Sequence, residues 1–372
     1  MKACIRILLL VMVTTCLSGC MDRIDLEDTT ITLMAGIDLN EKNEILFYLS
    51  SPVFSKEAKK KSEEFGVKAD TFREARVRLD EVVTGITLPG KIQVYILGKR
   101  FLKHPEWFRY LDVIYRDARL TVNSRMVVYD GDVHELFHFN PKDKPRLALH
   151  LTKLIDTAAR RNVTVKTKAQ DLHRQILEKG ITPILTEIKK DNQVVKVMGI
   201  ALLSGKGTYV KLIEPPESTL LLLLLDGKQG DVAMSFLLPE HQERGKIIKS
   251  KVSIVIKDVS NKIETSYQDG RFHFTVRQKL KISITERLFP FDMEKGYKQM
   301  EREIEEELRK SYAKLIEKCQ KSATDPFGFG MHARAYEYEE WKKVKDNWTK
   351  EFTKASVQII PEVSIKGNGV VK

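Results

Sequence analysis

Cysteine is scarce in this chain. Of four in 372 residues, Cys4, Cys16 and Cys20 sit at the very start and only Cys319 lies beyond them. If the first three are removed or modified, no internal disulfide can form, and no C-x-x-C redox or zinc pair exists. Long apolar runs are missing too. The six leucines Leu220 to Leu225 fall far short of the roughly twenty residues a membrane-crossing helix needs, so they read as a buried helix or strand. There is no G-x-S-x-G elbow and no phosphate-binding P-loop. No carboxylate stands alone in an apolar segment where burial would tune it for acid–base work. Acidic charge is the minority, 51 residues against 63 basic, for a net charge of +12. Without Lys2 and Arg6 about +10 remains, which suits an anionic membrane surface or an acidic partner. Catalysis and cofactor binding find no footing, and nucleic acid is not an expected partner of an exported chain.

What is present begins at residue 1. Lys2 and Arg6 precede a short apolar run, Ile7 to Val13, and then Leu17-Ser18-Gly19-Cys20. A positive start, an apolar stretch too short to span a bilayer and small residues before a cleavage point describe a secretory signal peptide over residues 1–19. Cys20 directly after the cut adds a sulfur that can carry a thioether-linked diacylglyceryl group. The expectation is a lipoprotein anchored through Cys20 to the outer face of a membrane, since two acyl chains on one residue hold where a single chain holds only weakly.

The remainder alternates strand-like and helix-like signals, which predicts a mixed α/β or α+β protein of three domains, each a mixed or antiparallel sheet packed with helices. The first domain is expected over 20–190. Thr71-Phe72-Arg73-Glu74 is a capping box opening a helix whose apolar positions are Phe72, Ala75, Leu79, Val82 and Val83. Lys91 to Gly98 and Thr121 to Tyr129 read as strands, and Pro105 to Tyr115, Arg146 to Arg161 and Thr167 to Glu178 as helices. A middle β-rich domain is expected over 191–250, beginning with a hairpin of Val194 to Leu203 and Tyr209 to Ile213. The third, 251–372, should pair Lys251 to Lys257 with Arg271 to Ile284 and then run into a long amphipathic helix. Met293, Tyr297, Met300, Ile304, Leu308, Tyr312, Leu315 and Cys319 recur at three or four residues along it, which buries Cys319. A helix bearing Trp341, Val344, Trp348 and Phe352 follows. The last strand carries Pro361, which points to a sheet edge.

One motif imitates chemistry. His134-Glu135-Leu136-Phe137-His138 fits H-E-x-x-H, in which two histidines one turn apart hold zinc and the glutamate activates water. Here the turn Asp130-Gly131 lies just before it and Pro141 just after, leaving barely two helical turns. No third ligand is marked, although His150 or Asp156 could serve in principle. A short surface turn or helix is the expected reading, with a zinc hydrolase as its rival. Ser204-Gly205-Lys206-Gly207-Thr208 sits between strands and reads as a hairpin turn.

A set of short pieces recurs in order along the chain: Cys20-Met21-Asp22-Arg23, Ala35-Gly36-Ile37-Asp38, Thr71 to Ala75, Ile96-Leu97-Gly98, Leu111 to Asp117, and Asp325-Pro326-Phe327-Gly328-Phe329-Gly330 after the long helix, with Trp341 and Trp348 beyond. In this order and spacing the chain resembles the Ger(x)C lipoproteins, the C subunits of spore germinant receptors. It departs at Met21, where that family usually has Trp. The resemblance implies three mixed α/β domains and a place on the outer face of the spore inner membrane. It also implies assembly with two integral-membrane partners, an A-type and a B-type subunit, and no catalytic role. Asp325 to Gly330 carries a structural reading of its own, a tight turn with Phe327 and Phe329 packed beneath it. The competing class is a solute-binding lipoprotein of a nutrient importer, which would show two similar lobes; no repeat is visible here.

Overall fold

The structure, a computed structural model, describes Ile5 and residues 28–54, 57–225, 230–241 and 250–367. Apart from Ile5, the segment expected to be a signal peptide lies outside those residues, as does Cys20.

Eight strands form the first sheet: β2 (Met34–Leu39), β3 (Ile45–Pro52), β4 (Ser62–Lys68), β6 (Val94–Gly98), β7 (Arg125–Tyr129), β8 (Ile184–Asp191), β9 (Val194–Leu203) and β10 (Tyr209–Ile213), in the order β10-β9-β8-β7-β6-β2-β3-β4. The central four, β2, β6, β7 and β8, run parallel. Strands covered on both faces read as unbroken apolar runs rather than alternations, and every residue of β2 and β6 is buried. One face packs beneath α1 (Phe72–Asp80), the 3₁₀ turn Trp107–Leu111 and α5 (Ala169–Leu177). The other packs beneath α3 (Val133–Phe137) and α4 (Leu147–Arg160). A two-stranded parallel ladder, β1 (Thr29–Ile31) with β5 (Ile86–Leu88), stands beside this sheet.

Local chemistry explains the elements and their departures from expectation. Thr71 caps α1, its Oγ1 accepting from the Glu74 amide at 3.1 Å, while the Glu74 carboxylate accepts from the Asp70 amide at 2.9 Å. Ala75 and Leu79 are buried as expected, but the helix ends at Asp80, so Val82 lies in the following turn, 55% exposed. The helix expected over 105–115 is a 3₁₀ turn that tightens into a short α2 (Asp112–Arg116). Residues 191–250 are shared between sheets. Asn192 takes a left-handed conformation (φ 53°) in the turn between β8 and β9, and so short a connection forces neighbours into one hairpin; β9 and β10 therefore extend the first sheet. The leucine run forms α6 (Pro215–Leu224), buried from Ser218 to Leu224.

The last sheet has the order β11-β12-β13-β14, from β11 (Val232–Leu237), β12 (Lys251–Gln268), β13 (Arg271–Arg287) and β14 (Ser356–Gly367). β14 lies parallel to β13, which requires a long crossover, and α7 (Met293–Lys321) supplies it. Met300, Ile304, Leu308, Tyr312, Leu315 and Cys319 are all buried against the sheet and α6. Tyr297, on the same stripe, is 45% exposed. Glu305 and Glu301 of α7 accept from the amides of Val363 (2.7 Å) and Ile365 (2.9 Å), Glu301 lying one turn after Tyr297. Pro361, two residues before Val363 on the same alternation, has no amide hydrogen to leave bare. The aromatic helix expected near the end is broken in two, α9 (Tyr338–Val344) and α10 (Trp348–Phe352), after α8 (Phe329–Tyr336).

Candidate interaction sites

Cys20, the one site residue read from the sequence, lies outside the described residues. The H-E-x-x-H segment is the helix α3. Asp132 caps it, accepting from the His134 amide at 2.8 Å. Its inward residues are Val133, Leu136 and Phe137. His134 and His138 face outward with their rings 4.2 Å apart, and among the described residues no three His, Cys, Asp or Glu side chains are grouped to hold a metal. Phe137 lies directly over Gly36, where a Cβ would stand 2.6 Å from its ring. That contact gives the glycine of Ala35-Gly36-Ile37-Asp38 its place.

Asp38, the last residue but one of β2, is only 2% exposed. Its carboxylate accepts from the Leu39 amide at 2.8 Å and from the Val133 amide at 3.5 Å, with Arg100 at 4.0 Å. Burial raises its pKa against those favourable contacts. The carboxylate occupies the space above Gly98, the last residue of β6, so any side chain there would collide with it. Next to it Lys99 pairs with Glu187 at 3.0 Å and Asp130 at 3.2 Å. The Tyr209 hydroxyl donates to Glu187 at 2.9 Å. Burial works against the Lys99 charge, but Tyr209, Glu187 and Asp130 outweigh it and raise the pKa. Each of these charges has an opposite partner, so the cluster ties the ends of β2, β6, β7 and β8 to β10. We expect Gly98→Ala to lower the urea-unfolding free energy by about 1–3 kcal/mol, the range for overpacking a filled site. An unchanged midpoint would contradict the packing described.

A second buried polar centre lies in Asp325-Pro326-Phe327-Gly328-Phe329-Gly330. All six residues are buried. Asp325 Oδ1 accepts from the amides of Gly328 (3.0 Å) and Phe329 (3.2 Å), and Oδ2 from Gly330 (2.9 Å) and the Trp348 indole (2.8 Å). Its carbonyl accepts from Thr182 of the first unit at 2.8 Å. Burial nonetheless pushes the Asp325 carboxyl up to about 6, the four donors opposing it. Gly328 adopts φ 77°, open to glycine at no cost. Gly330 has neither room nor neighbour to spare: a Cβ would stand 2.5 Å from the Trp348 indole nitrogen and 2.7 Å from the Gly180 Cα. Phe329 packs on Phe274 (ring centroids 4.8 Å) and Phe352 (5.9 Å). Around this seam Arg334 bridges to Glu178 at 2.9 Å and Lys179 to Asp346. The turn expected from the sequence is there, but it faces inward, a joint between the two units.

Sequence reasoning found the glycines and the aromatic pair but missed the acceptor role of Asp325 and the pairing of Asp38 with Gly98. An aspartate three residues before a glycine in a turn was the available signal for the first. Nothing local marks the second, because the partners lie sixty residues apart.

Comparison with known proteins places these motifs. Residues 22–190 match the family model of the spore germination protein N-terminal domain, and residues 198–369 that of the spore germination B3/GerAC-like C-terminal domain. The chain is similar to spore germination protein KC of Bacillus subtilis (strain 168), 20% identical over 402 aligned residues, covering 99% of this chain and 97% of that protein. Its fold is similar to that in the crystal structure of the GerBC protein, with a TM-score of 0.56 at 17% identity, covering 89% of this chain and 96% of that one.

Proposed function

The chain belongs to the family of spore germination proteins whose N- and C-terminal domains it carries, and from that premise we propose that it is the lipid-anchored C subunit of a spore nutrient-germinant receptor. The observation that carries this reading is the family match along nearly the whole of the chain that would remain after Cys20. LSGC supports the anchor. No helix among the described residues is long and apolar enough to cross a membrane, so attachment in this reading rests on the diacylglyceryl group at Cys20 and on partners. The subunit sits on the outer face of the spore inner membrane and works by assembly with the A-type and B-type integral-membrane subunits. The paired charges at Lys99 and the inward-turned Asp325 loop serve its rigidity, and its outer surfaces do the binding. Three domains, 20–190, 191–250 and 251–372, remain our working division, with the strands of the middle segment contributed to its neighbours.

The test is germination of a deletion strain that lacks the other receptors, followed by loss of optical density across single nutrients and mixtures. The response to one nutrient or mixture should slow by at least an order of magnitude, while growth and nutrient uptake stay normal. Normal germination with failed uptake of one solute would instead establish the importer class.

A further inference from the structure

We propose that the face formed by the second half of α1, the turn after it and β5 docks on the lipid surface to which Cys20 tethers the chain. This rests on the anchor reading above. Asp28 follows Cys20 by eight positions, and eight fully extended steps reach no more than about 28 Å. The chain therefore returns to the described fold close to the membrane, and the place of return is known. Asp28 lies against Gly85, whose Cβ would stand 2.8 Å from the Asp28 carbonyl carbon. Thr29, the next residue, pairs with Ile86 at the start of the β1–β5 ladder.

That place is where apolar side chains are left uncovered. Val77 (62% exposed), Val82 (55%), Ile86 (46%) and Leu88 (36%) fall within twelve residues of chain. On β5 the alternation sets Ile86 and Leu88 outward and Thr87 inward. Thr87 is braced from behind, its hydroxyl accepting from Arg76 at 3.2 Å and its amide donating to Asp80 at 2.9 Å. Val77 also lines a cleft of about 360 Å³ in which apolar groups such as Pro89 and Val113 alternate with charged ones such as Arg73, Asp117 and Arg119, so the apolar face is bordered there by charged groups. Grouped apolar side chains on a braced element mark a contact surface. A protein occupant would have to share the spot with the bilayer that the tether holds against it. The charges do not favour an acidic partner either. Arg78 pairs with Glu74 at 2.6 Å, Arg119 with Asp117 at 2.6 Å, and Arg73 with Asp117 at 3.7 Å. Apolar insertion into the headgroup region carries the docking, as at other interfacial surfaces, so it should depend little on anionic lipid.

The experiment uses the processed, lipidated full chain in vesicles of phosphatidylethanolamine and phosphatidylglycerol containing doxyl-labelled phosphatidylcholine. Val82→Cys and Ile86→Cys each carry an environment-sensitive fluorophore. Val194→Cys, at the β8–β9 turn and the opposite end of the strands, is the control. Cys319 does not compete, being buried with its thiol pushed up to about 12 by burial. Emission at 82 and 86 should fall at least twofold and at 194 by under a tenth, with less than a twofold change when phosphatidylglycerol is replaced by phosphatidylcholine. Protein that floats with the vesicles while 82 and 86 behave like 194 overturns the docking and leaves the anchor standing. Coverage of 82 and 86 that appears only when integral-membrane proteins are added assigns the face to a protein and also overturns it. Failure to float defeats the anchor, and the docking with it.

Discussion

Asp325→Ala should lower the unfolding free energy by about 3 kcal/mol or more, since each buried donor left without an acceptor costs about 1–3 kcal/mol. Four N–H groups converge on that carboxylate, and alanine leaves all four buried without an acceptor. The loss should be read both by urea unfolding and by opened contact between the units, as faster amide exchange at Thr182. The pH dependence gives a sharper signature. Burial raises the Asp325 pKa from 3.8 to about 6, so the folded chain binds this proton more tightly than the unfolded chain does. The stabilisation from that bound proton is complete below about pH 4 and is lost as pH rises through about 6, about 3 kcal/mol in all. Asp325→Asn cannot titrate. The stability of the natural chain relative to this variant should therefore fall by about that amount between pH 4 and 7. A flat difference would show that the carboxylate is as comfortable ionised here as in water.

Cys20→Ala should release most of the protein from membranes and abolish labelling by a palmitate analogue. The expectation comes from LSGC and from the arithmetic of lipid anchors. Each buried methylene contributes about 0.8 kcal/mol, and two chains hold where one dissociates. Confinement also raises the concentration of the subunit near membrane partners to the millimolar range for a short tether. Germination with the affected nutrient should thus slow by on the order of tenfold or more, and urea unfolding, measured as the control for the fold, should stay unchanged. Unchanged labelling would sink the anchor; normal germination by the released protein would show that docking alone suffices.

Much of the fold was legible because its signals are local. The stripe from Met300 to Cys319 needs only a 3.6-residue period to announce a helix and its buried side. Thr71 and Glu74 announce its counterpart at the start of α1. The β9–β10 hairpin follows from a glycine turn between two apolar runs. What escaped were decisions made at a distance. The text around residue 190 changes from helical to strand-like, which reads as a boundary, but the hairpin at Asn192 keeps β9 in the sheet of β8. Tyr297 continues the apolar period of α7 yet stands 45% exposed. His134 and His138 carry a metal-site spacing, yet the residue that matters in that helix is Phe137, placed by an absent side chain a hundred residues earlier. The expected lipid site rests on four residues, LSGC, because enzymes rather than tertiary contacts would recognise it.

For a chain held to a membrane as proposed, the rim of the last sheet matters. Molecules held to a surface meet copies of themselves far more often than molecules free in solution, and an open strand invites each encounter to become a cross-strand pairing. Along β14 the outward positions 361, 363 and 365 offer no free amide donor: one is proline, and the other two amides are already given to Glu305 and Glu301. A neighbour arriving along this stretch meets carbonyls without donors, half of what a strand ladder needs. Backbone annealing is disfavoured there, and side chains decide which partner binds.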